Sequence, residues 1–263
     1  MQTHKTVRHL TALVLSLCFL LLMPTPGIHA EETDEAYFVE RESAFTFELS
    51  PNFVSSLLAL VRQMIADTQK SGGRNGLRIA VIAGHGGNTG AHVGADLSTA
   101  IWEDAKNLEI ALAANEELRA RGYDTKMNRT NNAISTKEEK LKMFKEYKPD
   151  VLLEFHHNIS GTGKAEGLEV WYDSGNAKGQ KLAELLAPRL AASVGLKNRG
   201  AKGDDYAPQG SFYIVGSFPV ALLIECAFLD NPNDLTKLNT AAKRTKFAKA
   251  AADVVDEYLG IVS

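Results

Sequence analysis

Apolar positions along the chain fall into short continuous runs and longer helical stripes, and the two alternate. Leu77–Ile82, Val151–Phe155 and Val220–Ile224 are nearly unbroken apolar runs of strand length, as expected of strands covered on both faces. Tyr123–Asn128 and Gly167–Tyr172 add two further strand candidates. Between them, Glu103–Arg121, Thr136–Tyr147, Lys178–Val194 and Thr240–Leu259 read as helices. Gly122 stops the first and Pro149 ends the second. Pro188 predicts a kink in the third. The alternation predicts an α/β domain with a largely parallel central sheet flanked by helices on both faces.

Ahead of this alternation the pattern changes. Lys5 and Arg8 precede an apolar run, Leu10–Met23, which Pro24 and Pro26 interrupt, and Ala30 stands before the acidic start Glu31-Glu32. That order is the signature of a secretory signal peptide, and the run is short for a membrane helix. Residues 1–30 are therefore expected to be cleaved, leaving a secreted or periplasmic protein with no stable membrane association. Residues 31–76 form an N-terminal extension. It holds one amphipathic helix, opening at Ser50-Pro51 with its stripe over Phe53–Ile65, and a Gly-rich linker before Leu77. Residues 77–260 are expected to form a single domain, the one that carries the candidate chemistry below.

Loss of residues 1–30 removes two cations and no acid, taking the net charge from −3 to −5. A nucleic-acid partner is not expected at that charge. One cysteine remains, Cys226, so no internal disulfide can form. Four histidines remain: His85, His92, His156 and His157.

Three apolar strands end in polar residues that a core does not need: Gly84-His85-Gly86-Gly87, His156-His157-Asn158 and Glu225-Cys226. In parallel sheets such ends share one edge, where α/β sites form. Two histidines with a carboxylate suit zinc, which takes nitrogen and oxygen ligands and acidifies water. Glu103, at a helix start, and Glu225, at a strand end, are the carboxylate candidates; a hydrolase needs one on the metal and one moving protons. No HExxH or CxxC motif is present. His157 alternates to the opposite strand face, and Glu154 shares the face of His156. Cys226 reads as a small buried side chain, and Arg199, Asp204, Asp205 and Tyr206 as a solvated loop.

From Leu77 to Leu259 the chain resembles the zinc-dependent N-acetylmuramoyl-L-alanine amidases that cut bacterial cell wall. Four segments in the family's order carry the resemblance: Ala83–Gly87, Glu103–Leu108, Phe155–Asn158 and Leu223–Asn231. Weaker landmarks are Asn128-Arg129-Thr130 and Asn198-Arg199-Gly200. Residue by residue, the resemblance implies that His85, Glu103 and His156 hold Zn2+ and that Glu225 is the catalytic acid/base. It implies hydrolysis of the amide between N-acetylmuramic acid and the L-alanine of the stem peptide, with peptidoglycan as the partner. Two departures stand out. Ile82-Ala83 replace the usual Asp-Pro, and Glu154-Phe155-His156-His157-Asn158 replaces Ser-Ile-His-Ala-Asn. A related zinc peptidase cutting stem peptides, and a degenerate wall-binding or regulatory protein, stay open as alternatives, as does dependence on a protein activator.

Overall fold

The computed structural model describes residues 74 and 76–261, apart from positions 95, 98, 99, 208, 209 and 211. The signal-peptide and amphipathic-helix expectations fall outside the described residues. Among the described residues six strands form one sheet in the order β4-β1-β5-β8-β6-β7. They are β1 (Arg78–Ala83), β4 (Asp124–Met127), β5 (Val151–Asn158), β6 (Leu168–Tyr172), β7 (Asn198–Gly203) and β8 (Ala221–Phe228). A short antiparallel pair, β2 (His92–Val93) and β3 (Ile101–Trp102), lies between β1 and the first helix.

The three nearly continuous apolar runs become β1, β5 and β8, the centre of the sheet. All pairings within β4-β1-β5-β8 are parallel. β6 pairs antiparallel with β8, and β7 parallel with β6. Chain length explains the reversal. Only residues 159–167 join β5 to β6, and a parallel crossover needs about a dozen residues or more.

Helices α1 (Glu103–Ala120), α3 (Ala177–Val194) and α5 (Ala241–Tyr258) pack on one face. Ile110, Ala114 and Leu118 of α1, Leu182, Leu186 and Leu190 of α3, and Phe247, Ala251 and Val255 of α5 bury there. The opposite face is thinner. α2 (Lys137–Tyr147) and a short turn at Val215–Ser217 cover Ala80, Ile82, Leu152, Trp171 and Leu223. A short helix, α4 (Pro232–Leu238), follows β8. Pro188 lies inside α3, which runs unbroken through it. Among the described residues no helix is long and apolar enough to cross a membrane.

Strand order positions the site. From β1 the chain moves outward to β4, then returns across β1 to β5. The connections therefore diverge between β1 and β5, and this switch point opens a crevice at the strands' carboxyl ends. β1 and β4 begin at the opposite edge. There Arg74, expected in a linker, is buried and donates to Asp256 through Nε and Nη2 at 2.8 and 2.6 Å.

Candidate active site

The crevice is a cavity of about 550 Å3 lined by His85, Glu103, Glu154, His156 and Glu225, among others. His85 lies two residues past the end of β1. Its φ of 56° turns the chain sharply, a left-handed conformation uncommon for a side chain with a Cβ. Gly84, just before it, has to be glycine, because a Cβ there would collide with the His156 ring. Asn128 clamps Ala83, accepting its N–H at 2.9 Å and donating to its carbonyl at 3.0 Å. Arg129 donates to the carbonyls of Ala83, Gly84 and Asp104, tying this loop to the first turn of α1.

Glu103 is the first residue of α1, where a carboxylate is favoured by the free backbone N–H groups and the helix dipole. Its Oε1 lies 3.2 Å from His85 Nε2 and 3.0 Å from His156 Nδ1. Its Oε2 accepts the Ala91 N–H at 3.1 Å, and Asn107 braces Oε1 at 3.3 Å. Among the described residues, His85, Glu103 and His156 form the cluster able to hold a metal ion, their ligand atoms all within 4.8 Å. The other nitrogen of His156, Nε2, lies 3.5 Å from Glu154 Oε1. Lys140, from α2, caps the same oxygen at 3.0 Å. Lys140 and Glu154 are both buried.

Charge at the cluster favours a cation. Burial alone would raise Glu103, but hydrogen bonds from His156 and His85 hold it far below the usual carboxylate range. Burial would lower His156, but Glu103 and Glu154 push it up to about 10. Two imidazoles and a carboxylate that together retain a proton form a donor set that suits Zn2+. Glu154, despite burial, is drawn down to about 2 by His156 and Lys140.

Glu225 is the exception. It lies beside His156 in the register of β5 and β8, and burial pushes its carboxyl up to about 8 against the pull of His156. Among the described residues its Oε2 is buried without a hydrogen-bond partner. An unpaired buried oxygen is costly, and such a group is suited to receive and release a proton.

The remaining candidates separate from this group. His157 turns to the other face, where its Nδ1 meets Asn107 Oδ1 at 2.9 Å and burial lowers its pKa to about 4. His92 is exposed in β2, with its ring 4.6 Å from that of Trp102. Cys226 is buried in the three-helix core, where burial raises its thiol well above the ordinary value. Asn107 and Asn158 brace their surroundings through side-chain hydrogen bonds. Arg199 lies in a strand, β7, rather than a loop, and meets Glu169 at 2.7 Å. Lys140 and Glu169 were not singled out from sequence. A signal for Lys140 existed: it stands four residues before Phe144, on the buried stripe of α2.

Comparison with known proteins places the chain in a family. The sequence profile of the N-acetylmuramoyl-L-alanine amidases matches residues 79–257, about two thirds of the chain. The N-acetylmuramoyl-L-alanine amidase LytC of Bacillus subtilis is 30% identical over 186 residues, covering 70% of this chain and 36% of that protein. The chain thus spans about a third of that relative's length. The structure of Cwp6 from Clostridium difficile superposes with a TM-score of 0.61 at 29% identity, covering 69% of this chain and 29% of the other. The catalytic domain of the amidase CwlV from Bacillus (Paenibacillus) polymyxa shares the fold, with a TM-score of 0.62 at 23% identity over 71% of this chain and 99% of that domain. With its profile matched across the whole sheet and its crevice at the β1–β5 switch point, the chain belongs to the N-acetylmuramoyl-L-alanine amidase family.

Proposed function

We propose that this chain is an exported, zinc-dependent peptidoglycan hydrolase that cuts the amide between N-acetylmuramic acid and L-alanine. The observation that carries the reading is the juxtaposition of Glu225 with the His85–Glu103–His156 cluster across paired strands. His85, Glu103 and His156 would hold the ion. Zinc supplies Lewis-acid polarisation of a carbonyl and lowers the pKa of water to about 7.

The chain's own groups do the rest. Glu225 takes a proton from the attacking water onto its unpartnered Oε2 and returns it to the leaving amine. The ionised carboxylate is the form that takes the proton, and the proton affinity that burial gives it lets it hold that proton while the amide nitrogen becomes basic. Asn128 and Arg129 keep His85 in place by fixing the loop backbone. Asn107 does the same for Glu103. Glu154 and Lys140 fix the His156 ring from behind, as carboxylates commonly do for metal-binding histidines. Export rests on the pattern of residues 1–30.

Incubation of the protein lacking residues 1–30 with purified peptidoglycan tests the reading, with product masses compared before chelation, after it, and after zinc is restored. The expected result is zinc-dependent release of stem peptides bearing a new L-alanine amine. Cuts within the stem peptide would instead establish a zinc peptidase. Zinc binding without release, with no protein activator able to elicit it, would leave a wall-binding role.

A further inference from the structure

The active-site cavity continues past Glu225 into a second cleft of about 340 Å3. Glu225, Asn158 and Phe212 line both. Strand register produces the continuity. His156 on β5 pairs with Glu225 on β8, and Glu225 pairs with Glu169 on β6. These side chains occupy neighbouring positions on one face, with strands roughly 4.8 Å apart.

Glu169 is buried, and β7 supplies the wall beyond it. Arg199 Nε and Lys202 Nζ both donate to Glu169 Oε2, at 2.7 and 2.5 Å. Asn158 donates to its Oε1 at 3.1 Å. One cation would neutralise this carboxylate. Two are present, so the wall carries one positive charge in excess. Both cations keep part of their side chains in solvent, 32% for Arg199 and 30% for Lys202. Each also faces an aromatic ring. The Arg199 guanidinium lies 5.0 Å from the Phe228 ring centre, and the Lys202 ammonium 5.1 Å from that of Trp171. The rings hold the cations in place without consuming their charge.

The direction of the substrate follows from the proposed amidase reaction, on which this inference rests. To return a proton to the leaving nitrogen, Glu225 has to face the amine side of the cut bond. The carbonyl side belongs at the His85–Glu103–His156 cluster. The departing peptide therefore leads away from the cluster, past Glu225. We propose that the cleft walled by Arg199 and Lys202 binds this peptide and takes a carboxylate carried on its second residue. The reach fits. One strand spacing plus one hydrogen bond separates Glu225 from the cations, roughly 7 Å. Two extended residues span about the same distance.

The test uses two synthetic muramoyl peptides that differ only at the second peptide residue, a free carboxylate in one and a carboxamide in the other. The zinc-loaded protein should cut the acid with a kcat/KM about tenfold higher. The difference should lie mainly in KM and shrink as salt is raised. Lys202→Gln should bring the two substrates to about equal rates. If Lys202 only supported the fold, the same substitution would slow both and preserve their ratio, which would overturn the assignment. Equal cleavage of the two peptides by the unaltered protein would also overturn it, while leaving the amidase reading intact. If neither peptide were cut at the muramoyl bond, the amidase reading would fall, and this inference with it.

Discussion

Glu225 stands inside β8, among side chains that are otherwise apolar, and its burial sets stability against reactivity. Its folded pKa of about 8 stands above the ordinary 4.5. Between those values the unfolded chain releases the proton while the folded chain keeps it. Folding stability is therefore lost progressively as pH rises through this window, and nothing is lost below it. Glu225→Gln is neutral throughout. In the metal-free protein it should add stability above about pH 8, on the order of a few kcal/mol. It should add almost none below about pH 4. Thermal melts at the two pH values check this, and an equal shift at both would contradict it. The same substitution should lower kcat by about 100-fold or more.

At the scale of elements, the thin face of the sheet depends on contacts between α2 and β5. α2 begins with a capping box, Thr136 bonding the Glu139 N–H while Glu139 bonds back, and it carries Lys140 onto Glu154. Held down by His156 and Lys140, Glu154 stabilises the folded chain at pH values above its ordinary 4.5, and that contribution is lost as pH falls towards about 2. Lys140→Met strands a buried carboxylate and should cost about 3–5 kcal/mol. Adding Glu154→Leu should recover most of that loss, because an apolar pair of similar volume removes the stranded charge. Denaturant unfolding of the single and double variants decides it; additive losses would refute the coupling. Elements of this kind differ in how far the sequence displays them. β1, β5 and β8 are legible because strands buried on both faces must be apolar throughout. β7, Asn198-Arg199-Gly200-Ala201-Lys202-Gly203, is not, because an edge strand can be polar and its two glycines read as loop. The two-residue strands β2 and β3 are too short for any period. Reversal of β6 was implicit in the nine residues joining it to β5, a length argument that apolar periodicity does not contain. The site was legible where polar residues interrupt apolar strands, at His85, His156 and Glu225. Lys140 and Glu169 stayed hidden because charged residues are ordinarily read as surface.

Across the whole molecule, the two edges of the sheet carry separate duties. The crevice lies where the parallel strands end. Where β1 and β4 begin, Asp256 of α5 accepts from Arg74, Arg121 and Tyr123, the last two at 2.8 and 2.5 Å. This joins the chain ahead of β1 to the last helix. Asp256→Ala takes the acceptor from buried Arg74 and from the Tyr123 hydroxyl, while Arg121 keeps Glu117 and Asp253, and should cost about 3–5 kcal/mol. Zinc affinity should be unchanged, since the sites share no partner. Unfolding curves and a zinc competition titration measure the two quantities independently, and a weakened zinc site would show the edges to be coupled. The order of the strands also governs assembly. β8 lies between β5 and β6, yet it is the last strand in the chain. A chain halted before Ala221 already contains His85, Glu103 and His156, but the two edges that β8 joins stay open to strands from other chains.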